Sequence, residues 1–210
     1  MPNFAPKLDG KLSRFISSSL LTNFNFFRYC HERGWSLQSE DFCNIAQNIC
    51  QEISEMYQND PSLQTLEGPT QSKLDGILAD IYHTKGIAAT EMNQPDTALE
   101  YLRKFNDTMQ KELGTSSGSD DMRLAISWNQ LGVAWMIKDE WQEGEKCFIK
   151  SIEVMKSLED YKPYKISLPL ANLGYAFWLT GRFPEAVQAF EKGLRYREAE
   201  FGPDDRESFM

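Results

Sequence analysis

The chain has few of the residues on which most catalytic and metal chemistry rests. It carries two histidines, His31 and His83, far apart, and neither has a second nitrogen or thiol ligand at i+4. No zinc spacing results. Four cysteines, Cys30, Cys43, Cys50 and Cys147, form no CxxC pair. All four sit in helical patterns beside apolar residues, which predicts buried thiols rather than a disulfide framework. There is no GxxxxGK[ST], so nothing resembles an NTPase phosphate loop. No apolar run approaches the roughly 18–20 residues that span a bilayer. The opening "MPNFAPKLDGKLSRF" lacks the apolar core of a signal peptide, so a cytoplasmic location is expected. Positive charge is also scarce. Twenty-two basic residues face 31 acidic ones, for a net charge of −9. Such a surface repels phosphate backbones and anionic lipid, and "RLAIS" and "FEKGLRYRE" are mixed rather than basic runs. Neither nucleic acid nor membrane is an expected partner. No cofactor or metal is expected, and no nucleophile–base or acid–base constellation marks an enzyme.

What the chain does have is self-similarity. "NQLGVAWMIKDEWQEGEKCF" at 129–148 returns as "ANLGYAFWLTGRFPEAVQAF" at 171–190. Leu131, Gly132, Ala134, Glu143 and Phe148 recur as Leu173, Gly174, Ala176, Glu185 and Phe190. A fixed period of roughly 20–50 residues signals stacked supersecondary units. Within each copy the apolar positions follow a helical period. Trp128, Leu131 and Trp135 share one face, and Trp141, Glu145, Phe148 and Ile152 share another after the break at Asp139–Glu140. The second copy repeats this with Leu170, Leu173 and Phe177, then Phe183, Val187, Phe190 and Leu194. Two amphipathic helices joined by a polar turn, repeated, make an array of αα-hairpins. Gly132 and Ala134, or Gly174 and Ala176, sit where the second helix must come close, with Gly144 or Ala186 facing them. Larger residues there would hold the helices apart.

These residues carry a resemblance to the tetratricopeptide repeat, whose signature is Trp-x2-Leu-Gly-x2-Tyr followed by Ala, Phe and Ala. Trp128, Leu131, Gly132 and Trp135 fit it, with Gly144, Phe148 and Ser151 in the later slots. Leu170, Leu173, Gly174, Phe177, Ala186, Phe190 and Gly193 fit it again. Upstream, "DIYHTKGIAATEMNQPDTALEYL" aligns through Tyr82, Gly86, Ala88, Ala89, Ala98 and Leu102, with Lys85 departing from the leucine slot. Residues 12–57 are either a degenerate repeat, with Phe27, Cys30, Gly34, Ser39, Cys43 and Ala46 in the slots, or an unrelated helical cap. The spacing from Gly132 to Gly174 is 42 and from Gly86 to Gly132 is 46. This lengthened form is similar to the repeats of kinesin light chains and of the sensor regions of STAND-type (NLR-like) NTPases. The resemblance implies an all-α fold, a right-handed superhelical array of antiparallel helix pairs.

Along the chain, residues 1–11 read as a disordered N-terminus, 12–57 as that repeat or cap, and 72–113, 121–158 and 165–201 as repeats. A tail follows at 202–210. Helices are predicted near 12–33, 38–57, 72–92, 95–113, 121–138, 141–158, 165–180 and 184–200. "NDPSLQTLEGPTQ" is the longest loop and "GTSSGSDD" a Gly/Ser linker, ending in Ser119 as N-cap with Asp120 and Asp121 behind it. Ser72 and Asp75 read as another helix start. Tyr196 and Phe201 look like an exposed C-terminal edge, since terminal repeats normally carry a polar cap. Such an edge pairs with a second copy, docks another chain, or marks a shortened member of a longer family.

In such arrays the first helix of each pair lines a concave groove. By resemblance, the groove positions are His83, Thr84 and Ile87; Asn129, Gln130 and Val133; and Ala171, Asn172 and Tyr175. Thr90, Glu91, Met136, Ile137, Trp178 and Arg182 lie lower. Gln130 and Asn172 occupy one slot in adjacent repeats, where two amides in a row can clamp a peptide backbone whatever its side chains or stand simply as solvated groove residues. Trp178, Met136 and Tyr175 supply apolar contacts or pack between repeats. The basic residues with which chaperone-binding relatives grip a C-terminal carboxylate are missing from the matching positions. The expectation is therefore an adaptor or scaffold that binds a protein or peptide partner in the groove. A self-associating sensor module is the alternative. An enzyme or accessory factor in small-molecule biosynthesis, with Glu91 and Arg182 as polar groups in the groove, is the third.

Overall fold

The computed structural model describes residues 36–60, 70–115 and 122–203. Helix 12–33, the 119–121 helix start, the tail beyond 203, and Phe27, Cys30, His31 and Gly34 lie outside the described residues. The described chain is helical: α1 (Ser36–Asn59), α2 (Gln71–Glu91), α3 (Pro95–Thr115), α4 (Met122–Ile137), α5 (Trp141–Ser157), a 3₁₀ turn (Pro163–Ile166), α6 (Ser167–Leu179) and α7 (Phe183–Phe201). These bounds fall within a few residues of those the periodicity predicts. The first turn of α2 is a small exception. Its N-cap is Thr70, whose Oγ1 accepts the Lys73 N–H at 3.3 Å, rather than Ser72. Gln71 then donates to Asp75 Oδ1 at 2.8 Å, which engages the Asp75 carboxylate one turn into the helix.

The chain divides into two compact units, residues 1–85 and 86–210. In the first, Cys43, Ala46, Cys50, Ile53 and Tyr57 of α1 pack on Leu74, Ile77 and Ile81 of α2. Lys85, the residue out of pattern, is buried in this unit. Its ammonium donates to Asn44 Oδ1 at 2.6 Å and Gln47 Oε1 at 2.7 Å, which satisfies a charge where the repeat calls for leucine.

The second unit is a stack of helix pairs. One cluster joins Ala89, Ala98, Leu99 and Leu102 to Leu131, Ala134 and Cys147. The next joins Ala125, Phe148, Ile152 and Met155 to Ile166, Leu170, Leu173 and Ala176. The glycines act as the sequence requires. A Cβ on Gly132 would overlap the Phe148 ring, and one on Gly86 would lie 2.6 Å from Leu102 Cδ2. A Cβ on Gly193 would lie 3.2 Å from the Ser167 carbonyl oxygen. Ser151 adds a bond across the pair, donating to the Ala125 carbonyl at 2.7 Å.

One turn geometry recurs three times. Asn93 (φ 56°), Asp139 (φ 64°) and Gly181 (φ 75°) all take the left-handed conformation at the end of the first helix of a pair. The next residue closes the helix with a long backbone bond: Gln94 N–H to Ala89 O at 2.8 Å, Glu140 to Trp135 at 3.0 Å, and Arg182 to Phe177 at 2.8 Å. This is the Schellman closure, which satisfies carbonyls a helix end leaves open. Asn and Asp tolerate the left-handed region better than other non-glycine residues. Pro95 follows at the first position of α3, where its missing N–H costs no helix bond.

Candidate functional site

Among the groove positions, His83 and Thr84 belong to the first compact unit and the rest to the second. His83, Thr84 and Ile87 are half-buried, and the Thr84 hydroxyl is used within its own helix, on the Asp80 carbonyl at 2.8 Å. Thr90 does the same to Gly86 at 2.9 Å.

In the second unit, α4 and α6 bring several of the named residues together. Val133, Met136 and Ile137 of α4, with Asn172, Tyr175 and Leu179 of α6, line a cavity of about 340 Å³. Asn93 and Asp139, two of the left-handed turn residues, complete its rim, and Phe148 lies at its wall. Tyr175 is half-exposed, and its ring stacks on Trp178 at 5.7 Å between centroids with an interplanar angle of 20°. Tyr175 lines the cavity, and the exposed Trp178 backs its ring.

The amide arrangement differs from the one the repeat register suggests. Asn172 is tied to the residue beside Gln130. Its Nδ2 donates to Oδ1 of Asn129 at 2.9 Å, and Asn129 is buried. Gln130 and Asn129 together line a second depression of about 320 Å³ with Met122, Ile126, Met155, Lys165, Leu168 and Pro169. The offset between the paired amides is one residue longer than the repeat. Neighbouring α4 and α6 therefore meet across unequal slots, which spacing alone does not reveal.

Arg182 is committed to the fold. Nη1 contacts both carboxylate oxygens of Glu145 at 3.0 and 2.9 Å, and Nε donates to Glu185 Oε1 at 2.8 Å. The guanidinium lies 4.2 Å above the Phe177 ring centroid. Bonds to Glu185 and Glu145 raise its pKa still further. Its charge is spent on residues of α5 and α7, leaving Glu91, which is exposed, without it as a partner in small-molecule chemistry.

At the C-terminal edge the two expected residues part: Phe201 is exposed and Tyr196 is not. Tyr196 is half-buried against the Phe148–Leu173 cluster. Phe201 is half-exposed and meets Tyr164 edge-on at 5.0 Å. Sequence reading missed a further depression of about 500 Å³, lined by Arg103, Asp107, Trp128, Trp135, Glu143, Lys146 and Lys150 among others. Arg103 sits over the Trp135 ring at 5.0 Å, and the lining charges are of both signs. The described cysteines are buried as expected. Burial pushes the Cys50 thiol up to about 12 and the Cys147 thiol up to about 11, so neither is a nucleophile near neutral pH.

Paired helices, small residues at each close approach and a thrice-repeated turn define a helical-repeat array. Residues 123–199, from α4 nearly to the end of α7, match the tetratricopeptide repeat family, so this span of the chain is a tetratricopeptide-repeat segment. Segments of this family serve as scaffolds for protein partners. No curated protein matches the chain. Among solved structures, BtubC (BKLC) from P. vanneervenii is 18 % identical, with a TM-score of 0.52, over 94 % of this chain and 85 % of that one. The MamA RS-1 ArsTM double mutant is 15 % identical, with a TM-score of 0.46, over 89 % of this chain and 98 % of that one. The likeness to BtubC is one of fold. No helix of the described residues is long and apolar enough to cross a membrane.

Proposed function

We propose that this chain is an interaction scaffold that holds an extended peptide segment of a partner protein in the cavity between α4 and α6. The observation that carries the reading is the Asn172–Asn129 pair. One N–H of Asn172 is fixed by a buried partner, which orients the amide on the cavity wall. Its Oδ1 and second N–H are not used in that pair, and together they match the N–H and C=O of a passing peptide bond. Val133, Met136 and the stacked Tyr175–Trp178 rings supply apolar contact beside it. Rigid aromatic anchors around a small number of oriented polar groups are the usual composition of a peptide site. The reading assigns Gln130 no role in backbone recognition.

Affinity capture from a native lysate, read by mass spectrometry, tests this with the wild type beside Asn172→Ala and Tyr175→Ala. A partner held by the wild type and lost by both variants is the expected result. A set of partners that both variants retain in full would remove the cavity from the account.

A further inference from the structure

Helix α7 carries two faces. It packs on its own unit through Ala186, Ala189 and Gly193, which are buried, and through one side of the Phe190 ring, which lies against Gly174 of α6. About a quarter-turn away runs a second, apolar face made of Phe183, Val187, Phe190, Leu194 and Phe201. Each of these is between 42 % and 57 % exposed. Their spacing alternates four and three residues, the a/d rhythm of a coiled-coil seam, with Arg197 taking the one remaining seam position. The Arg197 guanidinium lies over the Phe201 ring at 5.5 Å.

The same slots one repeat earlier show what such a face is for. On α5, Phe148 and Ile152 are 0 % and 8 % exposed, closed by the residues of α6. Their counterparts on α7, Phe190 and Leu194, are 42 % and 43 % exposed. One difference is chemical. Glu145 on α5 is met by Arg182 of the following pair, whereas α7 has Val187 in that slot. The internal interface is completed by an ion pair. The face on α7 has no charge at its centre to be answered.

We propose that this stripe is a self-association surface, on which α7 of one copy packs antiparallel to α7 of a second about a twofold axis. An a/d row that is apolar from Phe183 to Leu194 and at Phe201, broken only by Arg197, is complementary to itself, as an isologous contact requires. The area is sufficient. Three phenylalanines, each with about half of its roughly 200 Å² free, together with Val187 and Leu194, offer roughly 400 Å² of apolar surface per copy. Doubled, and with Gln188, Glu191, Arg195 and Glu198 as a polar rim, the contact reaches the ~1,000 Å² that separates specific interfaces from incidental ones. Each copy carries a net charge of −9, so the two repel at long range and the association tightens as salt is added. This inference is independent of the peptide reading, because none of its residues lines the cavity between α4 and α6.

Sedimentation equilibrium of the full chain over a wide concentration range, at low and high salt, is the test. The expected result is a monomer–dimer equilibrium that salt strengthens. Val187→Glu, which places two unpaired carboxylates in the seam, should weaken it by roughly a hundredfold or more. Leu194→Ala should weaken it less, and Ile149→Glu, at an exposed apolar position off the stripe, should leave it unchanged. Circular dichroism of each variant confirms the fold. A wild type that stays monomeric throughout overturns the proposal. So does a dimer that Val187→Glu and Leu194→Ala leave intact, because its interface would lie elsewhere.

Discussion

Gly132 and Gly174 occupy one slot of the repeat, yet alanine should not cost the same at each. Both are interior to helices, so alanine gains about 0.8–1 kcal/mol of helix propensity at either position. The added Cβ decides the rest. At Gly132 it would sit 2.7 Å from Cδ1 and 2.9 Å from Cζ of Phe148, a ring that is 0 % exposed and cannot swing away. Overpacking of this kind costs about 1–3 kcal/mol, and a fully enclosed ring belongs at the upper end. The net for Gly132→Ala is a loss of about 1–2 kcal/mol, or a fall of about 2–8 °C in Tm for a chain of this size. At Gly174 the Cβ would lie 2.9–3.0 Å from the Phe190 ring. That ring is 42 % exposed and has solvent to tilt into, so Gly174→Ala should fall within about 0.5 kcal/mol of neutral once propensity is counted. Urea unfolding of both variants, at protein concentrations low enough to keep α7 uncovered, checks this. Equal costs, or a larger loss at Gly174, would refute the claim that cover over the aromatic sets the tolerance of the glycine slot.

Other outcomes follow from single contacts. Asn106 is buried and donates to the buried Ser127 hydroxyl at 2.7 Å while accepting from Gln110 at 2.5 Å, so Asn106→Ala should cost about 1–3 kcal/mol in urea unfolding. Lys85→Leu restores the repeat's own residue at a buried position and should leave Tm unchanged or higher, because an apolar replacement removes the desolvation of a buried charge. A clear fall in Tm would show that the amide contacts with Asn44 and Gln47 outweigh that term. Burial raises the folded-state pKa of Cys147 to about 11 and of Cys50 to about 12, above the ordinary thiol value. The unfolded chain therefore ionises these thiols first. Stability from this source is complete below the ordinary thiol value of about 8.5, falls as pH rises beyond it, and is lost through the folded values. Denaturant midpoints taken across the alkaline range should decline accordingly, with a shallower decline in Cys50→Ala/Cys147→Ala.

The fold was readable because its determinants are local or repeat at fixed spacing. Gly86, Gly132 and Gly174 mark close approaches whichever helix follows, and the turns at Asn93, Asp139 and Gly181 are settled by a few adjacent residues. The apolar row on α7 was readable only in part. Phe183, Val187, Phe190 and Leu194 have the residue types and period of a packing face, but whether such a face is closed depends on a neighbour that the helix's own sequence does not contain. The structure packs α7 through its small residues and one side of the Phe190 ring, and turns Tyr196 inward. The amide pair shows a different limit. Asn129 and Asn172 are both visible as groove positions, but their contact spans unequal slots of two repeats, so a register argument paired Asn172 with Gln130. Arg182 illustrates competition: a basic residue at a groove position was captured by Glu145 and Glu185, carboxylates on helices other than its own or one turn ahead.

The central claim is that the cavity between α4 and α6 receives a peptide. A photo-crosslinking residue in place of Tyr175, activated in a native lysate, tests it most directly. The account predicts a covalent adduct to an extended segment of another protein, and loss of that adduct when Asn172→Ala is added to the same chain. Adducts that persist unchanged with Asn172→Ala, or that join only two copies of this chain, would contradict it.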